Sequence, residues 1–113
     1  MHEMAITQNI LDIVLDTAKQ SNAKKVSSVT LVVGSLAQVV PDCVSFYFEL
    51  MSKDTIAEGA EFIVKDVPAK AECAKCGTVF EAEDMSLKCP ECGELFGKLI
   101  SGRELSVESI DVD

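Results

Sequence analysis

Four cysteines stand in two matched turns, Cys73-Ala74-Lys75-Cys76-Gly77 and Cys89-Pro90-Glu91-Cys92-Gly93, separated by the twelve residues 77–88. A CxxC turn puts two thiolates on the same side of a tight loop. The glycine after each second cysteine permits a positive backbone φ, so amide N–H groups can turn toward sulfur. Two such turns facing each other give a sulfur tetrahedron, the geometry that Zn(II) takes with thiolates. Four thiolates leave no open coordination position, so the expected site is a structural staple and not a catalytic centre. Tetrahedral four-sulfur coordination also suits iron in a rubredoxin-like site. Against iron, only Phe80 and Phe96 offer aromatic cover in this segment. A thioredoxin-like redox pair fits less well, because neither motif opens a helix after a strand.

The single histidine of the chain, His2, lies beside the terminal amine in Met1-His2-Glu3. A lone terminal histidine is ordinarily solvated and inert, but this placement has a specific chemistry. The amine and the His2 amide close a five-membered chelate ring around a metal. The His2 amide and its own Nδ1 close a six-membered ring, and the amides of His2 and Glu3 close another five-membered one. Two tridentate arrangements therefore compete: amine, His2 amide and imidazole, or Glu3 amide, His2 amide and imidazole. Either leaves one planar position for an outside donor. Nitrogen-rich square-planar sites favour Ni(II) or Cu(II). The first arrangement needs an unmodified Met1, whose enzymatic removal a bulky second residue hinders. Binding needs neutral imidazole and displaced amide protons, so it weakens as pH falls. An exposed site with three donors suits handing a metal on better than storing it.

The elements that position these groups follow from apolar spacing. Residues 3–20 read as a helix, with Ile6, Ile10, Ile13 and Val14 at helical spacing and Leu11, Leu15 and Ala18 widening the stripe. Ser21-Asn22 ends it. Residues 26–33 read as a strand with Val29, Leu31 and Val33 on one face, closed by Gly34. Pro41-Asp42 starts a second helix running to about Ser52. Val44, Tyr47, Phe48 and Met51 line one side of it. Cys43 adjoins them and is expected as a small buried core residue. Residues 61–67 and 103–112 read as two further strands. In the last, Leu105 and Val107 are out of phase with Ile110 and Val112, which predicts a bulge near Glu108-Ser109.

The expected fold is α+β: a small three-stranded mixed sheet with two helices on one face, plus an inserted loop-rich, zinc-ribbon-like domain. Residues 1–68 and 101–113 form the core domain, and residues 69–100 are the insertion between the last two strands. The first strand, second helix and second strand form a crossover if the strands are parallel neighbours.

One compact domain with a small appendage is the expectation for 113 residues. With 48% apolar residues the chain can build a core, although a chain this short gains from a structural metal. Nineteen acidic residues against ten basic ones, a net charge of −9, disfavour nucleic-acid binding, which needs clustered Lys and Arg. An acidic surface suits a basic protein partner or a cationic cargo. No basic stretch followed by a long apolar run opens the chain, and no segment approaches membrane-spanning length. The expected location is the cytoplasm, where paired CxxC motifs read as metal sites before disulfides. No nucleophile–base set and no Gly-rich phosphate loop is present, so no enzyme is expected.

Taken together these residues resemble the HypA family of nickel metallochaperones for [NiFe]-hydrogenase maturation. The resemblance rests on Met1-His2-Glu3 opening an amphipathic helix and on the inserted CxxC/CPxCG loop. It continues through "AKKVSSVTLVVGSLAQVVPDCVSFYFELMSKDTIAEGAEFIV", with its strand ending in GxL, its Phe-rich helix and its AEGA turn, to the final strand "GRELSVESIDVD". It covers essentially the whole chain.

The resemblance implies a core domain that binds nickel at its N-terminus, with His2 the key side chain. Met1 contributes its amine and Glu3 a backbone nitrogen. It implies structural zinc on Cys73, Cys76, Cys89 and Cys92. Some members carry histidines in or next to the zinc turns. This chain has none there, so zinc is expected on four cysteines alone. The implied partners are a nickel-pathway GTPase and the [NiFe]-hydrogenase large subunit. Some members also serve urease. The expected assembly is a monomer or weak homodimer. The rival reading is a zinc-ribbon protein-interaction module in which His2 does nothing.

Overall fold

The computed structural model describes residues 3–82, 87–95 and 97–113. The first helix, α1 (Glu3–Gln20), has an acid in its first turn and Lys19 in its last, each favourable to the helix dipole. It ends on a left-handed Asn22 (φ 54). The Ala23 amide donates to the Ala18 carbonyl at 3.0 Å and the Asn22 amide to Lys19 at 3.1 Å, which satisfies carbonyls that the helix end would leave open. The buried stripe is Thr7, Ile10, Leu11, Val14 and Ala18. It is rotated from the expected one, because Ile13 stays 51% exposed. Thr7 takes a core position because its hydroxyl donates to the Glu3 carbonyl at 2.6 Å and is not left unpaired.

Strands β1 (Val26–Gly34) and β2 (Glu61–Val67) flank α2 (Pro41–Met51) in the chain. With β6 (Leu105–Val112) they form one sheet in the order β2-β1-β6. β1 pairs parallel with β2 and antiparallel with β6. Val29, Leu31 and Val33 of β1 enter one core with α1 and with Val44 and Phe48 of α2. The expected bulge is present: Thr30 lies opposite Ser109 but Leu31 opposite Val107, so Glu108 is the extra residue. It returns Ile110 to the side of Val107 and Leu105, and all three pack on the core. The displaced Glu108 meets Lys65 of β2 at 2.9 Å.

On α2, Val44 and Phe48 are buried, and the Phe48 ring lies 5.0 Å from that of Phe62 on β2. Cys43 is exposed, contrary to the core position expected for it. Phe46 and Leu50, one and two turns further along, are exposed with it. The reason is architectural: helices on one face of a sheet make two layers, and the outward side of α2 has no third layer to cover it.

Residues 69–100, expected as turns and loops, form a second sheet whose last strand runs on to Ser101. Strands β3 (Lys70–Cys73), β4 (Val79–Glu81) and β5 (Gly97–Ser101) pair antiparallel in the order β4-β3-β5. β3 alternates fully, with Lys70 and Glu72 exposed and Ala71 and Cys73 buried. The inward residues are small, so no hydrophobic period marks the strand. The buried cluster here is Ala69, Ala71 and Ala82, with Leu36, Phe80, Leu87 and Leu99 packed against it. The whole chain is elongated, 55 × 26 × 17 Å.

Candidate metal centre

The two cysteine turns are built by the same contacts. Cys73 closes β3; its amide donates to Thr78 at 2.9 Å and its carbonyl accepts from Gly77 at 3.0 Å. Cys89 makes the equivalent pair with Glu94 at 2.9 Å and Gly93 at 3.0 Å. Gly77 and Gly93 share φ 77. A Cβ at either would meet nothing within 4 Å, so backbone conformation and not crowding calls for glycine there. The amides of Lys75 and Cys76 point at the Cys73 sulfur, and that of Glu91 at the Cys89 sulfur, each at 3.4 Å. Such N–H groups stabilise negative charge on sulfur.

The four Sγ atoms all lie within 4.8 Å of one another. Across the turns, Cys73 and Cys92 sulfurs are 3.5 Å apart and Cys76 and Cys89 sulfurs 3.6 Å. A tetrahedron with Zn–S bonds of 2.3 Å puts sulfurs about 3.8 Å apart. The cluster therefore fits a zinc ion with little movement. Cys73 and Cys89 are buried while Cys76 and Cys92 are exposed, and none is in a disulfide. Among the described residues, no other group of three or more His, Cys, Asp or Glu side chains gathers its donor atoms in this way.

The turns differ at Ala74/Pro90, at Lys75/Glu91 and at the residue after the glycine, and the last of these lies outside the CxxCG pattern. After the glycine, the first turn has Thr78 and the second Glu94. The Thr78 hydroxyl lies 3.1 Å from the Cys76 sulfur. Hydrogen bonds from the Thr78 side chain and backbone lower Cys76 to about 6, helped by the Cys73 and Cys89 thiols and opposed by desolvation. At Cys92 the Glu94 backbone acts downward, but hydrogen bonding to the other three thiols, together with desolvation, pushes the group up to about 12. Of the two exposed thiols, Cys76 is thus the more readily ionised. The signal available in the sequence was a hydroxyl residue two positions after a cysteine.

Met1 and His2, the residues expected to hold nickel, lie outside the described residues. Glu3 opens α1, and its carbonyl is occupied by Thr7. Its amide is one of the first-turn N–H groups with no acceptor inside the helix.

A profile described as "Hydrogenase/urease nickel incorporation, metallochaperone, hypA" matches residues 1–112. The chain belongs to the HypA family. It is 42% identical to a hydrogenase maturation factor HypA of Caldanaerobacter subterraneus subsp. tengcongensis, covering all of both chains. It is 39% identical to that of Geobacter metallireducens, again in full. With the Dehalococcoides mccartyi protein it shares 42% identity over the whole of this chain and 95% of the relative. The fold agrees with a solution structure of the Ni metallochaperone HypA from Helicobacter pylori: TM-score 0.70, 20% identity, 99% of this chain and 97% of that one. A second HypA solution structure agrees at TM-score 0.76 and 20% identity, over 99% of this chain and 96% of that one. Membership of the HypA family makes this a metallochaperone chain, and its fold is that of the HypA solution structures. No described helix is long and apolar enough to cross a membrane.

Proposed function

We propose that this chain is a nickel carrier for [NiFe]-hydrogenase maturation, binding Ni(II) through its first three residues and holding structural Zn(II) on Cys73, Cys76, Cys89 and Cys92. The observation that carries the reading is the family match over residues 1–112, beginning at the Met1-His2-Glu3 opening. His2 supplies its imidazole and amide, with the Met1 amine or the Glu3 amide as third donor. The start of α1 supports this arrangement. The Glu3 amide has no helical acceptor to lose, and a deprotonated amide there sits at the positive end of the helix dipole. Nickel is cargo and zinc is resident. The zinc has four thiolates and offers nickel no place.

The protein works as two units, residues 1–68 with 101–113 and residues 69–100, in the cytoplasm and without catalysing a reaction. Its partners are proteins of the hydrogenase pathway: a GTPase that acts with it and the hydrogenase large subunit that receives the nickel. Its net charge of −9 suits a cationic cargo and basic partner surfaces.

The test is a calorimetric nickel titration of zinc-loaded, untagged protein beside the same protein extended by one N-terminal residue. Stoichiometric binding abolished by the extension assigns the amine-anchored arrangement. Binding that survives assigns the one built on the Glu3 amide. No binding to either form refutes the carrier reading and leaves a zinc-stapled interaction module.

A further inference from the structure

The two sheets meet where three chain segments run side by side: Gly34-Ser35-Leu36 at the end of β1, Pro68-Ala69 between β2 and β3, and Gly102-Arg103-Glu104 between β5 and β6. Most of the contacts are backbone to backbone. The Gly34 amide donates to the Glu104 carbonyl and the Leu36 amide to that of Gly102, both at 2.7 Å; the Ser35 amide donates to Val67 at 2.9 Å. Ser101 Oγ donates to the Pro68 carbonyl at 2.9 Å. The approach is closer than side chains allow. A Cβ on Gly34 would fall onto the Gly102 carbonyl, and one on Gly102 (φ 116) would lie 2.7 Å from Ala69 Cα.

Leu36 belongs by chain position to the first sheet, two residues past the end of β1. Its side chain nonetheless packs against the buried alanines of the second, Ala69, Ala71 and Ala82. Among the described residues, that cluster consists of three alanines, which offer little hydrophobic burial to hold three short strands. Ala71 of this cluster and Cys73 of the four-cysteine centre share the inward face of β3, and Leu36 packs against the same cluster. On its other side, the segment carrying Leu36 runs through only four residues before α2 begins at Pro41.

We infer that Leu36, seated by the Gly34–Gly102 contact, is a positioning residue that couples the four-cysteine centre to the sheet-and-helix unit. Through it, the two units hold one orientation while zinc is bound. Coupling of this kind is reciprocal: if Leu36 supports the zinc unit, zinc also supports the placement of Leu36 and of the turn leading to α2.

The inference rests on zinc binding by the cysteines, and its test separates the two. Zinc extraction by a chromophoric chelator and amide ¹⁵N relaxation are measured on the zinc-loaded full chain and on variants. Leu36→Ala is expected to speed extraction roughly tenfold, within the usual range of coupling between sites. It is also expected to give the amides of the two sheets different tumbling times. Leu36→Met, which keeps the volume, should restore both readouts, and Leu95→Ala, on an exposed side chain, should change neither. Extraction within about twofold of the parent, with a shared tumbling time in Leu36→Ala, overturns the inference. Should Leu36→Ala not fold, the unaltered protein decides. Zinc removal should shift the Leu36 methyl resonances and the amides of residues 35–40, and unshifted Leu36 methyls overturn the inference. A parent chain that takes up no zinc removes the premise, a result distinct from all of these.

Discussion

Cys73 and Cys92 belong to different turns and stand nineteen positions apart, yet their sulfurs lie 3.5 Å apart. Cys76 and Cys89 pair across the turns in the same way at 3.6 Å. Each turn thus faces a sulfur of the other, and the four converge with no disulfide between them. Four thiol groups packed together gain little from one another. A divalent cation at their centre supplies the attraction that the small alanine cluster does not.

Cys76→Ser should lose stoichiometric zinc, because a serine hydroxyl does not ionise to replace a thiolate. The loss should disorder residues 69–100 and leave the two helices intact, since among the described residues their core shares no buried residue with the alanine cluster. Zinc content by elemental analysis and the helical far-UV dichroism check the two halves. Collapse of the helical signal would refute separable units.

Zinc affinity should fall more steeply with acidity below about pH 6. Above that, Cys76 of the metal-free protein is already a thiolate, and zinc displaces no proton from it. As pH falls through about 6, Cys76 takes up a proton, and each zinc bound must displace one more. Thr78→Val removes the hydroxyl and moves Cys76 back toward the ordinary thiol value of 9.0, so the steepening should begin at higher pH. Chelator competition across the acidic and neutral range measures both profiles. Coincident profiles would rule out the role of Thr78.

His2→Ala should abolish nickel binding and leave zinc content and thermal stability unchanged. The substitution removes the imidazole common to both tridentate arrangements and precedes α1, which begins at Glu3. Nickel and zinc are read separately by titration and elemental analysis. An unaltered nickel affinity would refute the assignment.

Phe48→Ala should cost about 3–5 kcal/mol, the usual range for truncating a buried phenylalanine. Phe48 is 2% exposed and stacks near Phe62, while Phe46, two positions earlier, is 57% exposed. Phe46→Ala should therefore stay within about 0.5 kcal/mol of the parent. Urea unfolding of the zinc-loaded forms compares them, and equal losses would contradict the placement of α2.

Periodicity made the first sheet and its helices legible. The 3.6-residue stripe of α1, the alternation of β1 and the phase slip at Glu108 each correspond to a large apolar side chain entering or leaving one core. Where burial does not need large side chains, the signal vanished. β3 alternates through Ala71 and Cys73, and so read as loop. Period also marks a face without saying what covers it. Ile13 and Cys43 carry the right residue types at the right spacing and remain exposed, because no layer lies against them.

By itself the sequence determined the chemistry on offer. Two CxxCG turns determine four soft donors and the left-handed glycines that shape each loop, since both are local properties of five residues. The His2 chelate is local in the same sense. Only the tertiary structure decided how these pieces meet: which sulfurs pair across the turns, and that Leu36 crosses into the second sheet's cluster. Such contacts join residues far apart in the chain. They depend on the packing of the whole molecule, which no window of sequence contains.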